Sequence, residues 1–224
     1  QPELWSAATG DIRKLPAFEQ KGGATAVPMK LAPYESAFVV FFDAAGQPSD
    51  GGVEANYPTP VQIARLDGPW TVDFLDKGRG PKEPVVFEAL TDWTTNSDDL
   101  IKYYSGTAVY KSSFKLDAAP DGNHILIDLG DFVAMARVKV NGQDAGGLWT
   151  APYTLDITDL VKAGDNEVEI EVVNTWLNRL IGDLNLPEAK RTTWAAINSW
   201  KADSPLQKAG LFGPVVIESV DYAE

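Results

Sequence analysis

Apolar and polar side chains alternate with a period of two through much of the chain beyond residue 60. The run Glu167-Val168-Glu169-Ile170-Glu171-Val172-Val173-Asn174 places Val168, Ile170 and Val172 on one face and acids on the other. That is the pattern of a half-buried strand. Trp70-Thr71-Val72-Asp73-Phe74 repeats it, and Val109-Tyr110-Lys111-Ser112-Ser113-Phe114-Lys115-Leu116 does so in part. Val133 to Val140 leads into Asn141-Gly142, a pair that accepts positive φ at a hairpin tip. His124-Ile125-Leu126-Ile127-Asp128 reads as a further strand. Thr158 to Gly164 predicts a short helical turn closed by glycine, with Asp156 and Thr158 placed to cap it. Gly130 and Gly210 are expected at tight backbone turns. Many short strands separated by turn residues, with no internal repeat, predict an all-β sandwich.

The first part of the chain is different. Residues 1 to about 42 hold two short apolar runs, Ala26 to Leu31 and Ala37 to Phe42, separated by the turn-like Ala32-Pro33-Tyr34-Glu35-Ser36. The second run is rich in aromatic and β-branched residues and predicts a strand. Two or three strands do not make a stable unit alone, so this segment must lean on something else. Asp43 to Gly52, continuing to Tyr57-Pro58-Thr59-Pro60, is turn and linker chemistry. The expected division is a β-rich segment over 1–60, the end of a preceding domain plus linker, and a larger β domain over 61–224.

Composition narrows the chemistry. Nineteen Lys and Arg against thirty-two Asp and Glu give a net charge of −13. Such a field repels phosphate backbones and anionic membrane surfaces, so neither nucleic acid nor membrane is an expected partner; neutral sugars are unaffected. There are no cysteines, so thiol chemistry and cysteine-held metals are excluded. No apolar run approaches the ~20 residues that span a bilayer. The opening Gln1-Pro2-Glu3-Leu4-Trp5 has no leader-like features, as expected of a processed product or a piece of something longer. The single histidine, His124, sits at a strand end and reads as structural rather than as a general base.

A series of motifs, in order, carries a family resemblance. They are Leu66-Asp67-Gly68-Pro69-Trp70-Thr71-Val72, Tyr103-Tyr104-Ser105-Gly106-Thr107-Ala108-Val109-Tyr110, Leu129-Gly130-Asp131 and Ala136-Arg137-Val138-Lys139-Val140-Asn141-Gly142. There follow Leu148-Trp149-Thr150-Ala151-Pro152-Tyr153-Thr154-Leu155-Asp156-Ile157-Thr158, Gly164-Asp165-Asn166-Glu167-Val168, the stretch Val173 to Asp183, and Gly210-Leu211-Phe212-Gly213-Pro214-Val215-Val216-Ile217. Together they resemble the galactose-binding-like jelly roll known as the sugar-binding domain of family-two glycoside hydrolases. Asn178-Arg179-Leu180-Ile181-Gly182-Asp183 is most similar to the version near the C-terminus of bacterial α-L-rhamnosidase-type hydrolases. The resemblance covers about residues 10 to 220, and Ser36 to Phe41 resembles the end of the β-rich region before that module. It implies an all-β jelly-roll β-sandwich preceded by a small β-rich segment, in an exported protein, periplasmic or extracellular. It also implies a catalytic domain elsewhere in the parent chain.

Sugars are held by aromatic faces and by planar polar groups gripping hydroxyls. Asn174, Trp176, Asn178, Arg179, Asp183, Arg191 and Trp194 bring both kinds together where the strand pattern dissolves. The alternative reading makes Trp176 a core residue and Arg179 with Asp183, four apart, a local ion pair. Trp149 and Tyr153, flanking Pro152, make a second candidate platform. Trp93, Tyr103, Tyr104 and Trp200, the last in Asn198-Ser199-Trp200-Lys201, carry less weight. Jelly rolls of this type can hold a structural calcium, but Ser97-Asp98-Asp99 and Asp121-Gly122-Asn123 read as ordinary acidic turns, and no metal or cofactor is expected. Glycoside hydrolysis usually needs two carboxylates flanking the scissile bond, and no acid here lies in a catalytic motif. The expectation is a non-catalytic carbohydrate-binding or active-site-completing module acting on plant-type polysaccharide. Two alternatives stand beside it. One is a scaffold with no ligand, marked by an exposed apolar patch where a neighbouring domain docks. The other is an independent enzyme, marked by Asp183 and Glu188 converging in one cleft.

Overall fold

A computed structural model describes residues 1–42, 51–197 and 199–222. The linker reading of residues 43–50, and Asn198, lie outside the described residues. Five short strands open the chain: β1 (Pro2–Ser6), β2 (Ile12–Lys14), β3 (Glu19–Lys21), β4 (Ala24–Ala26) and β5 (Ala37–Phe41). After the single-turn helix α1 (Gly52–Asn56) come β6 (Val61–Leu66), β7 (Trp70–Phe74) and β8 (Val85–Phe87). Helix α2 (Asp99–Lys102) precedes β9 (Thr107–Leu116), β10 (His124–Asp128), β11 (Asp131–Phe132), β12 (Met135–Val140), β13 (Gln143–Leu148), β14 (Thr154–Asp156) and β15 (Gly164–Val173). Helix α3 (Leu177–Leu184), β16 (Leu211–Gly213) and β17 (Val215–Val220) follow.

The main body is a sandwich of two antiparallel sheets, one ordered β13-β12-β15-β9-β7-β8 and the other β14-β10-β17-β6. The alternation predicted for β15 is realised: Val168, Ile170 and Val172 are buried in the core while the intervening acids face outward. They meet Trp70, Val72 and Phe74 of β7, Tyr110 of β9 and Val138 of β12 on their own sheet's inner face, and Ile125, Ile127, Val215 and Ile217 from the opposite sheet. Asn141 and Gly142 both have positive φ at the β12–β13 tip, as the dipeptide requires. The predicted helical turn is a 3-10 turn over Thr158–Leu160, with Asp156 accepting from the Thr158 N–H at 2.9 Å. Gly130 has φ +65°, and a Cβ there would lie 2.4 Å from the Gly213 carbonyl carbon, so only glycine lets the two chains cross so closely.

The loop between β8 and β9 is structural. Trp93 and Tyr104 are fully buried, and Tyr110 Oη accepts from Trp93 Nε1 at 2.6 Å and from Leu211 N at 3.2 Å. Asp98 caps α2 by accepting from Leu100 N at 2.9 Å, which accounts for the acidic turn Ser97-Asp98-Asp99.

The N-terminal segment holds more strands than its apolar runs predict. Strands β2-β1-β5 form one sheet and β3-β4 a hairpin. On the four-stranded sheet, Leu126 and Val216 alternate away from the main core yet are buried. The N-terminal segment meets the main body at Tyr222. Arg13 of β2 donates to the Asn56 carbonyl and lies over the rings of Tyr57 and Tyr222, at 4.7 and 4.9 Å. Asn56 is buried and bonds both the N–H and the carbonyl of Ala17, each at 2.8 Å.

Candidate functional site

Helix α3 and the loop beyond it separate two kinds of residue. Arg179 and Asp183, one helical turn apart, keep only 8% and 3% of their side-chain surface exposed. The guanidinium grips Asp183 Oδ1 through Nε, at 2.9 Å, and through Nη2. The other oxygen, Oδ2, accepts the backbone N–H groups of Thr192 and Thr193 at 2.8 and 2.7 Å and the Thr193 hydroxyl at 2.7 Å. Burial alone would raise the Asp183 pKa. The hydrogen bonds from Thr193, Arg179 and Thr192, with the Arg179 charge, outweigh it and hold the carboxyl below the usual range. The local ion pair anticipated from the spacing is present, and it pins the loop to the helix. Gly182 lets α3 sit hard against Tyr103, whose Cγ is 2.6 Å from where a Cβ would stand.

Asn178 brackets the returning chain in the same way. Its Nδ2 donates to the Gln207 carbonyl at 2.6 Å and its Oδ1 accepts from Gln207 N at 2.9 Å. Asn174 Oδ1 accepts from Gly210 N at 3.0 Å, and its Nδ2 is a buried donor with no partner among the described residues. These four polar side chains therefore face protein. The tryptophans do the opposite. Trp194 follows directly on the pinned threonines and is 86% exposed. Trp176, at the N-terminal end of α3, is 53% exposed, with the Arg79 guanidinium 4.6 Å above its ring. Arg79 is itself held by Asp76, Nε to Oδ2 at 2.6 Å. Trp200 and Ile197 add further exposed apolar surface.

The second platform is placed elsewhere. Tyr153 is half-buried and packs on Phe132, ring centres 4.6 Å apart, whereas Trp149, just past β13, is 58% exposed. Trp149 borders a cleft of 150 Å³ whose other walls include Thr9, Asp11 and Asp156. A wider cleft of 360 Å³ opens at one end of the sandwich, over Leu116 and Ile125, with Lys115, Asp121 and Asn123 at its rim. Neither cleft was legible in the sequence, because each is assembled from turns more than forty residues apart.

Asp183 and Glu188 do not meet: the former is sealed by Arg179 and the threonines, the latter is exposed. Asp128 and Glu218, on the outward face of β10 and β17, both have raised pKa values. Burial is the main cause for each, and the Asp128 charge adds to it for Glu218. Neither lines the two clefts. Among the described residues no three His, Asp or Glu side chains cluster as metal donors. No described helix is long and apolar enough to cross a membrane.

No protein-family model matches the chain. Its structure superposes on a rhamnosidase from Novosphingobium sp. PP1Y with a TM-score of 0.88 and 38% sequence identity, covering 98% of this chain. The chain is a galactose-binding-like jelly-roll domain of glycoside-hydrolase type. A protein of Formosa agariphila named "Putative beta-glucuronidase" is 34% identical over 71% of the chain. The domain spans 20% of the rhamnosidase and 16% of the Formosa protein, so it corresponds to one part of much longer glycosidase chains.

Proposed function

We propose that this domain is a non-catalytic, carbohydrate-facing module of a glycoside hydrolase acting on plant-type polysaccharide, outside the cytoplasm. The observation that carries the reading is the contrast within one loop. A buried clamp of Asn178, Arg179 and Asp183 orders the segment, and the segment holds Trp176 and Trp194 in water. Large exposed aromatics on an ordered loop suit stacking on the C–H face of a sugar ring, and pre-ordering lowers the entropy cost of binding. The polar side chains Asn174, Asn178, Arg179 and Asp183 act by positioning, with Trp149 and Tyr153 as the second candidate surface. Resemblance to a rhamnosidase makes rhamnose-bearing glycans the first ligands to try. The same tryptophans serve equally well to complete the substrate pocket of a catalytic domain in the same parent chain.

Thermal-shift and calorimetric screening against rhamnose, galactose and pectic oligosaccharides tests this. Stabilisation reduced by Trp176→Ala or Trp194→Ala, with the variants still folded, supports it; an unchanged response in both variants contradicts it.

A second reading has its own observation. Register pairs Trp5 with Ile12 on one side and with Phe38 on the other, so the three form a row across one face of the β2-β1-β5 sheet, and all are exposed. Such a row is what a scaffold presents to a neighbouring domain. Concentration-dependent self-association abolished by Phe38→Lys would favour docking as the use of that face, independently of the loop.

A further inference from the structure

We infer that the cleft beside Trp149 is a second saccharide site, sized for one neutral pyranose ring. It takes its ligand class from the carbohydrate reading above, but none of its residues belongs to the 174–194 loop. Its volume, 150 Å³, is below the ~300–1,000 Å³ of drug-sized pockets, so it admits a single ring rather than a chain.

Each wall offers what a sugar needs. Trp149 supplies a half-exposed indole at one side. The floor is the run Ala145-Gly146-Gly147 of β13. That strand is at the edge of its sheet, bonded only to β12, so alternate backbone N–H and C=O groups point away from the sheet. A Cβ on Gly146 would stand 3.3 Å from Leu155 Cδ2, which also lines the cleft, so glycine there keeps the backbone open to a ring. The third wall is the turn between β1 and β2, where Thr9 Oγ1 donates to Asp11 Oδ2 at 2.5 Å and orients the carboxylate. Asp11 is exposed and is the group placed to accept sugar hydroxyls. Asp156 is a wall rather than a grip: Oδ1 is taken by Thr158 and Oδ2 by His124 Nδ1 at 2.5 Å.

The walls come from distant parts of the chain, yet they are tied together. Asp156 holds His124, whose ring meets that of Tyr222 edge-on at 5.2 Å. Tyr222 lies under Arg13, two residues beyond Asp11. The cleft is thus held open without a ligand.

Charge sets the sugar class. Among the described residues, two aspartates and no Lys or Arg line the cleft, in a chain of net charge −13. A uronate carboxylate placed there meets like charge with no counter-ion, whereas a neutral ring meets only acceptors for its hydroxyls.

The test is calorimetry of the whole chain with methyl rhamnoside, methyl galactoside and sodium glucuronate, repeated on the loop double variant Trp176→Ala/Trp194→Ala, alone and with Trp149→Ala or Asp11→Ala added. Trp149 and Asp11 are both exposed, and circular dichroism verifies that each variant is folded. The inference expects the loop double variant to retain neutral-glycoside binding in the millimolar range, and this retained binding to weaken about tenfold when Trp149→Ala or Asp11→Ala is added to it. Glucuronate should give no heat. Binding lost in the loop double variant overturns this site and leaves the proposed function standing. Absence of neutral-glycoside binding, or glucuronate bound as well as the neutral sugars, overturns it too.

Discussion

Asp183→Ala is the substitution whose outcome follows most directly from the geometry. It leaves the Arg179 guanidinium, 8% exposed, without the carboxylate that both Nε and Nη2 address. Removing one partner of a buried pair costs ~3–5 kcal/mol, mostly because the remaining charge is stranded. The freed N–H groups of Thr192 and Thr193 add less, since that segment reaches solvent. Against a total stability of ~5–15 kcal/mol this is a large fraction. At ~2–4 °C per kcal/mol for a chain of this size, the midpoint should fall by roughly 6–20 °C. Urea unfolding followed by circular dichroism measures the loss, and limited proteolysis reports whether residues 185–200 loosen. The double variant Arg179→Met/Asp183→Leu should be less destabilised than Asp183→Ala alone, because no charge is left buried. The sign with pH is also fixed. A carboxyl whose folded pKa is lowered contributes stability above its unfolded pKa, near 4, and loses it as pH falls through the folded value. The gap between the parent chain and Asp183→Ala should therefore persist at neutral pH and close in strong acid. A cost under about 1 kcal/mol, or a double variant worse than the single, would refute the clamp.

Tyr110→Phe strands two buried donors, Trp93 Nε1 and Leu211 N, and should cost roughly 2–5 kcal/mol by urea titration. Gly130→Ala and Gly142→Ala both demand positive φ, at ~1–2 kcal/mol, but only the former drives a Cβ into backbone, at Gly213. Gly130→Ala should therefore be worse by a further ~1–3 kcal/mol, and equal losses would contradict the close crossing. Asp128→Asn should raise the midpoint at neutral pH, since a folded pKa raised by burial means the charged carboxylate opposes folding there. The gain should vanish as pH drops and the parent carboxyl takes up its proton.

Local patterns along the chain anticipated the sandwich because its strands satisfy local rules. Trp70–Phe74, by its alternation, and His124–Asp128, by its aliphatic run, are strands over the residues read as such, and Asn141-Gly142 turns as that pair must. The first forty residues were harder. Strand β1 begins with proline and carries Glu3 and Ser6, so its partner strands, not its own residues, make it a strand. Trp93 and Tyr104 lie in a polar stretch that reads as loop, and only the fold reveals that they fill the core. For the candidate site, the i, i+4 spacing of Arg179 and Asp183 was informative. Its engagement with Thr192 and Thr193 was not, because it depends on how the loop returns. Asp11 carried no signal at all, since the facing walls of its cleft, from Ala145 to Asp156, are more than 130 residues away in sequence.

The measurement that bears most directly on a carbohydrate-facing role is an NMR titration of the seven tryptophan indole N–H signals with rhamnose-containing and pectic oligosaccharides. Trp70 and Trp93 are buried in the core and serve as internal references. Saturable shifts of the Trp176 and Trp194 signals, with the two core signals still, are the predicted result. Indole signals that all stay in place, or that shift only at Trp5 on the N-terminal sheet, would contradict it.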